Sequence, residues 1–207
     1  MASKVDFKKE FKQLYSASAK PVTIVVPELQ YLMIDGAGSP GESKEYTDAI
    51  SALYPVAFIT KFSSKKEQKK DYTVPPLEGL WWADDMNDFV NNKRDKWKWT
   101  MMILQPEWIT KEVIKESIAK AKEKNPSLAK TLDKLRLETL NEEKTAQIMH
   151  SGPYKDEAST IKKLHDYIKE QKGAFNGKSE KHHEVYLSDP RKSKPESMKT
   201  IIRQPYR

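Results

Sequence analysis

The chain has 207 residues, with 37 Lys and Arg against 30 Asp and Glu for a net charge of +7, and it contains no cysteine. That excludes disulfides, thiolate metal sites and a cysteine nucleophile, while the longest apolar run, Ala52–Ile59 interrupted by Pro55, falls far short of the about 20 residues a membrane-spanning helix needs. Charged residues make up 32% and hydrophobic ones 37%, against about 25% and 45–50% in ordinary domains, so a small core beneath a heavily solvated surface is expected. Residues 1–20 are polar and Lys-rich, with Phe7, Phe11, Leu14 and Tyr15 at helical spacing, which predicts an N-terminal helix or arm. Thr23–Val26 is a β-branched run, Pro27–Gln30 reads as a turn, and Tyr31–Ile34 as a second strand. Gly36–Gly41 breaks the chain. Ser43 then stands as N-cap of a helix whose inner face is Tyr46, Ile50, Leu53 and Tyr54, and Pro55 is expected to end or kink it. Gly79–Trp82 and Trp97–Leu104 follow as two more strands. Next, Thr110 caps a helix with Val113, Ile114, Ile118 and Ala121 inward, and Asn125-Pro126 opens another that carries Leu128, Leu132 and Leu135.

The order then repeats. Arg136–Leu140 is strand-like, Asn141–Lys144 turns, and Thr145–His150 returns; Gly152-Pro153-Tyr154 takes the place of the first Gly/Pro break, and Ala158, Ile161, Leu164 and Ile168 mark one buried helical stripe. His183–Leu187 and Met198–Arg203 close this half. The closing strands of the two halves share letters, Thr100-Met101-Met102-Ile103-Leu104-Gln105-Pro106 beside Thr200-Ile201-Ile202-Arg203-Gln204-Pro205. Internal duplication is the economical reading, with chance likeness of two short strands as its competitor. The prediction is an α+β protein: strand-strand-helix-strand-strand twice, over about 21–106 and 136–207, joined by a helical connector over 107–135, with helices on one face of antiparallel sheets.

Net positive charge raises the possibility of a nucleic-acid partner. Signs alternate along the charged runs, however, as in Lys111–Glu116 and Lys120–Lys124, Arg is scarce, and no helix-turn-helix, finger or RNP pattern occurs. Solubility accounts for the charge, and neither a direct nucleic-acid contact nor a membrane partner is expected. Met1–Phe7 lacks the apolar stretch of a secretion signal, so a cytoplasmic location is the expectation.

Strand alternation puts Glu184 and Tyr186 on one face and Val185 and Leu187 on the other. With the apolar pair under the helices, the carboxylate and the phenol occupy the uncovered face. Trp81 is turned the same way in preference to Trp82, although either ring fits the alternation, and the match of Thr100 to Thr200 places Trp97, Trp99 and Met101 with it. Such rings suit planar ligands and interfaces alike, and packing into the core is the plain alternative. A lone carboxylate among rings is costly unless a cation or donor compensates. Glu184 there either holds a cationic apolar ligand, acts as a base on water, or sits exposed at a strand end. Tyr154 enters near the same place as a hydrogen-bond donor if its helix starts at the rim, or else packs on its own strand. His182 and His183 point to opposite faces and His150 and His165 have no ligand spacing, so no metal is predicted. Gly36–Gly41 lacks the ending and spacing of a phosphate loop, and no serine stands in a nucleophile elbow, so no cofactor is predicted either.

The stretches Glu78–Trp82, Met149–Tyr154, His183–Pro190 and Lys199–Pro205 resemble the GyrI-like small-molecule binding family, and the likeness covers most of residues 21–207. The resemblance implies a pseudo-twofold pair of SHS2-type modules with a ligand cleft between their sheets and helices on the outer face. It also implies that Glu184 is the central ligand-binding acid. Many relatives carry a DNA-binding segment ahead of this unit; here only about 20 residues precede it, so direct transcriptional regulation is not expected. The tryptophan-rich strand resembles the stand-alone branch of cyclopropanoid cyclopropyl hydrolases, which implies detoxification of DNA-alkylating natural products by adding water across a strained ring. On that resemblance a planar apolar ligand stacks on Trp81 or Trp82 and on Trp97, Trp99 and Met101. Glu184 aligns or deprotonates water, while Tyr186 or Tyr154 orients the acid or stabilises developing phenolate. The alternative is a protein that sequesters or senses apolar drugs without turnover, or that acts through a protein partner.

Overall fold

The computed structural model describes residues 4–41 and 43–207, with the Val90 side chain left aside. Its elements in chain order are α1 (Phe7–Glu10), α2 (Lys12–Tyr15), β1 (Val22–Val26), β2 (Leu29–Ala37), α3 (Lys44–Ser63), β3 (Leu77–Trp82), α4 (Asn87–Val90), β4 (Lys98–Leu104), α5 (Lys111–Lys124), α6 (Ala129–Leu132), β5 (Arg136–Leu140), β6 (Glu143–Ser151), α7 (Ala158–Glu170), β7 (His182–Tyr186) and β8 (Lys199–Pro205). The α+β class expected from the sequence is what forms. The strands make one eight-stranded sheet in the order β1-β6-β8-β7-β3-β4-β2-β5, with every pair antiparallel. Exchanging β1 with β5, β2 with β6, β3 with β7 and β4 with β8 and reversing the list returns the same order.

The short turns read at Pro27–Gln30 and Asn141–Lys144 do not close hairpins. β1 pairs with β6 of the second half, and β5 pairs with β2 of the first. A two-residue hairpin turn needs positive φ in its centre, and the ring of Pro27 fixes φ near −65°, so the chain crosses to the other half instead. That crossing also sets the shape of the sheet. Three Cα–Cα steps from Val26 to Leu29 span at most about 11 Å, whereas six strand spacings in a flat sheet would separate β1 from β2 by about 29 Å. The sheet must therefore curl until its ends approach one another.

Its inner face is where side chains of distant strands converge. Glu78 of β3 accepts from Tyr15 of α2 at 2.9 Å and meets His183 Nε2 of β7 at 2.9 Å; the other His183 nitrogen, Nδ1, lies 3.0 Å from both oxygens of Glu142. Arg203 of β8 adds its charge 3.8 Å from Glu78 and donates to Gln147 of β6 and to the carbonyl of Leu14. Burial opposes a charge on His183, but the two carboxylates outweigh it and raise its pKa to about 9. The N-terminal segment is tied into this cluster by Tyr15 and Leu14.

The outer face carries the helices, α3 over β2 and β4 and α7 over β6 and β8. Ser43 caps α3 by accepting from Tyr46 N, and Thr110 caps α5 by accepting from Val113 N. Of the two outcomes expected at Pro55, an end to the helix is excluded, because α3 runs on to Ser63. The missing backbone donor costs about 3 kcal/mol, and the burial of Ala52, Leu53, Val56 and Ala57 on either side of it offsets that cost. Neither α3 nor α7 covers β3 and β7, the two central strands, and the space above them is left open. Among the described residues no helix is long and apolar enough to cross a membrane.

Candidate active site

The gap between α3 and α7, floored by β3 and β7, is a cleft of about 1620 Å³, larger than the roughly 300–1,000 Å³ of most small-molecule pockets. It opens on the helix-bearing face above a single sheet, not between two sheets. The helical period builds its walls. On α3 the row Tyr46, Ile50, Tyr54 and Phe58 recurs every four residues along the cleft, while Ala49, Leu53 and Val56 are buried. On the opposite wall Glu157, Ile161 and His165 step along α7 in the same way.

The floor is set by strand parity. Trp81 of β3 and His182, Glu184 and Tyr186 of β7 share the outer face and line the cleft. Trp81 stacks on Tyr46 at 6.3 Å and meets Trp97 edge-on at 6.1 Å, and Trp97 in turn lies flat on Phe89 at 4.4 Å. Each such pair adds about 0.5–1.5 kcal/mol beyond its buried area, so the wall is rigid before any ligand arrives. Gly79 faces Glu184 across the β3–β7 ladder. A Cβ there would come within 3.0 Å of Trp81 Nε1 and 3.1 Å of the Tyr186 hydroxyl, so glycine makes room for the contact that orders the floor.

That contact belongs to a polar row. Trp81 Nε1 donates to the Tyr186 hydroxyl at 3.0 Å, His182 Nε2 donates to Glu184 Oε1 at 3.0 Å, and the Tyr186 hydroxyl stands next to the Glu184 carboxyl. The Glu184 side chain is only 13% exposed. Its carboxyl is thus bonded by His182 and flanked by the Tyr186 hydroxyl, the kind of compensation that burial of a polar group requires. Burial and, next, the Glu184 charge push the hydroxyls of Tyr46, Tyr154 and Tyr186 well above the ordinary tyrosine range, so they remain donors.

A second carboxyl faces the first. Glu157, at the N-terminus of α7, is 6% exposed; it lies beside Thr200 of β8, and its Oε1 has no hydrogen-bond partner. Burial, then repulsion from Glu184, raise its pKa to about 9. The helix N-terminus favours the anion by about 0.3–1 kcal/mol, whereas a shift of that size corresponds to several kcal/mol, so burial wins. Glu157 is therefore held towards its protonated, hydrogen-bond-donating form beside the Glu184 side chain, which equips the site for acid chemistry. The imidazole of His165, driven by burial and by His182 to a pKa of about 4, is neutral there.

Of the residues singled out from the sequence, Glu184, Tyr186, Tyr154, Trp81 and Trp97 line the cleft together. Tyr154 stands at the rim, 39% exposed and edge-on to Tyr186 at 5.9 Å. Three others are placed elsewhere. Trp82 faces the opposite side of β3, under the Lys181 ammonium at 3.7 Å. Trp99 is on the cleft side but fully buried: Tyr46 covers it edge-on at 5.4 Å, and it lies so close to Gly36 that a Cβ there would touch its ring at 2.2 Å. Met101 is likewise fully buried, its methyl beneath Gly79. Strand β4 is covered on both faces, so alternation alone does not tell cleft from core. Glu157 and the α3 tyrosines were missed as cleft residues. The signal was present, because Glu157 extends the Ile161–Leu164–Ile168 stripe by one turn and a carboxylate at a buried-stripe position needs a reason.

The GyrI-like small molecule binding domain family matches residues 20–207. The chain belongs to this family. Two solved structures from Listeria innocua align with this GyrI-like chain over 99% of its length and 100% of theirs: an uncharacterized conserved protein at 38% identity and TM-score 0.88, and a hydrolase at 37% identity and TM-score 0.86. The EcmrR C-terminal domain shares the fold at TM-score 0.58 and 10% identity, covering 91% of this chain and 97% of that one. No curated protein matches the chain in sequence.

Proposed function

We propose that this GyrI-like protein hydrolyses the cyclopropane of planar cyclopropanoid alkylators. The observation that carries the reading is the Glu184 carboxylate, pinned between His182 and Tyr186 in a cleft walled by indole and phenol rings. The likeness to a Listeria innocua hydrolase over the whole chain supports it. A flat polycycle fits against Trp81 and Trp97, which carries its strained methylene over β7. Glu184 takes a proton from water as the water oxygen bonds to that carbon. The ring C–C bond breaks, its electron pair moves into the conjugated carbonyl, and the resulting phenolate is protonated, so that the sum is one water added. Positioning and general-base action together are worth several orders of magnitude in rate. Tyr186 and Tyr154, held neutral, orient the acid and the ligand. Trp99 and Met101 support the wall without touching ligand, and Trp82, on the other face of β3, takes no part.

The test uses purified protein and a spirocyclopropyl dienone, with Trp fluorescence for binding and mass spectrometry for product. Wild type is expected to give the hydrated species. Glu184→Gln is expected to bind within about threefold of wild type while turnover drops about 10²–10⁴-fold. Turnover near wild type in that variant removes Glu184 from the reaction. Binding without product in wild type favours the second reading, a drug-sequestering protein, which the size of the cleft supports equally.

A further inference from the structure

Glu157 lines the cleft on the wall facing Glu184, yet a base on water needs only one carboxylate. Among the described residues no cation pairs with Glu157. Around it stand Glu184 and Tyr186 from β7, Tyr154 from the turn before α7 and Thr200 from β8, while His150 of β6 is turned to Thr160 and to the carbonyl of Pro153. Its Oε1 is sealed from solvent and unpartnered, and a buried polar atom without a partner costs about 1–3 kcal/mol. Glu157 lines the cleft, so a turn of its side chain towards a bound ligand completes that bond and recovers the cost.

We propose that Glu157 is the acid of the cleft: a carboxyl group that hydrogen-bonds the conjugated carbonyl of a neutral, flat ligand and gives it a proton when the strained ring opens. The hydrogen bond stands on a buried, unpartnered carboxyl group in the cleft wall together with its raised pKa, and the proton step rests on the hydrolase reading above. The step balances: Glu184 gains the water proton, Glu157 loses its own to the former carbonyl oxygen, the product leaves as a phenol with a new C–O bond, and one proton returns from Glu184 to Glu157 through water. The ligand class follows from the hydrogen bonds. Glu184 already accepts from His182, and Glu157 in its protonated form offers a donor, so the site suits a neutral molecule with a carbonyl acceptor over a permanent cation.

Because Glu157 holds its proton up to about pH 9, the arrangement predicts an alkaline limb. Affinity for a spirocyclopropyl dienone, read by Trp fluorescence between about pH 6 and 10.5, is expected to fall about tenfold above that point in wild type. In Glu157→Gln, which keeps an N–H donor and cannot ionise, affinity stays within about threefold of wild type at neutral pH and loses the limb. In Glu157→Leu affinity drops about tenfold at neutral pH, with thermal unfolding confirming that the variant is folded. Where wild type turns over, Glu157→Gln is expected to lower turnover about 10²-fold or more. Affinity that is independent of pH in wild type and unchanged in Glu157→Leu overturns the proposal, as does tighter binding of a lipophilic quaternary ammonium than of the dienone. Neither of these affinity readouts requires turnover, so failure of the hydrolase reading leaves the hydrogen-bond assignment decided on its own.

Discussion

A single carboxyl group in this cleft behaves as its surroundings dictate, and the two glutamates show how. Glu184 has His182 as a donor and the Tyr186 hydroxyl beside it; Glu157 has burial, an oxygen without a partner and the repulsion of Glu184. The consequence for Glu157 can be read in stability. Its folded pKa of about 9 lies above the unfolded value of 4.5, so the folded state holds more protons across that window and stability falls as pH rises through it, by about 1.4 kcal/mol per unit at most. Glu157→Gln removes the penalty. The variant is expected to unfold at the wild-type temperature near about pH 4 and several degrees higher near about pH 8; an equal offset at both would contradict the assignment. At this scale alternation correctly grouped Glu184 with Tyr186, and Trp81 with them, but the expectation that their face is the one without helices is overturned: they lie on the helix-bearing face, open between α3 and α7, while Val185 is buried on the other side. The places of Trp99 and Met101 were not legible, because both faces of β4 are buried.

Elements meet here through polar side chains as much as through the core. The cluster of Glu78, His183, Glu142 and Arg203 joins β3, β7, β8 and the turn before β6 behind the floor of the cleft, and Tyr15 brings α2 to it. Burial disfavours charge on Glu142, but His183 outweighs it and holds its pKa below the usual range. The contribution of His183 is complete below its unfolded pKa of 6.5 and is lost as pH rises through about 9; that of Glu142 is present above 4.5 and lost on acidification. His183→Gln leaves two buried carboxylates facing a neutral group and is expected to cost about 3–5 kcal/mol near neutral pH. In thermal melts the gap to wild type should shrink above about pH 9, and a gap that is constant to about pH 10.5 would contradict the ion-pair reading. The sequence pointed to opposite faces for His182 and His183, which is what separates the cleft row from this cluster. It offered no sign that His183 would be paired twice, because Glu78 and Glu142 are remote in the chain.

Over the whole molecule the cleft lies at the seam where β3 of the first half meets β7 of the second, the centre of a strand order that is its own mirror under exchange of halves. The shared letters of β4 and β8 pointed to a recurring element order, and the strand order has the matching symmetry. The exchange of β1 and β5 was not readable, because local pattern fixes which face a strand buries but not which distant strand it pairs with. That exchange makes the halves interdependent: without β5, β2 has an open edge, and without β1, so has β6. Residues 4–106 and 107–207 expressed apart are therefore expected to show no cooperative unfolding, and a sharp transition in either would contradict the interlock. The same seam brings the aromatic wall of the first half to the carboxylate of the second, and the proposed chemistry depends on that meeting. The most direct measurement is mass spectrometry of a spirocyclopropyl dienone incubated with the purified protein in heavy-oxygen water. A ring-opened product carrying one heavy oxygen, abolished by Glu184→Gln, is the predicted result. Intact dienone recovered from wild type whose Trp fluorescence reports an occupied cleft would contradict it.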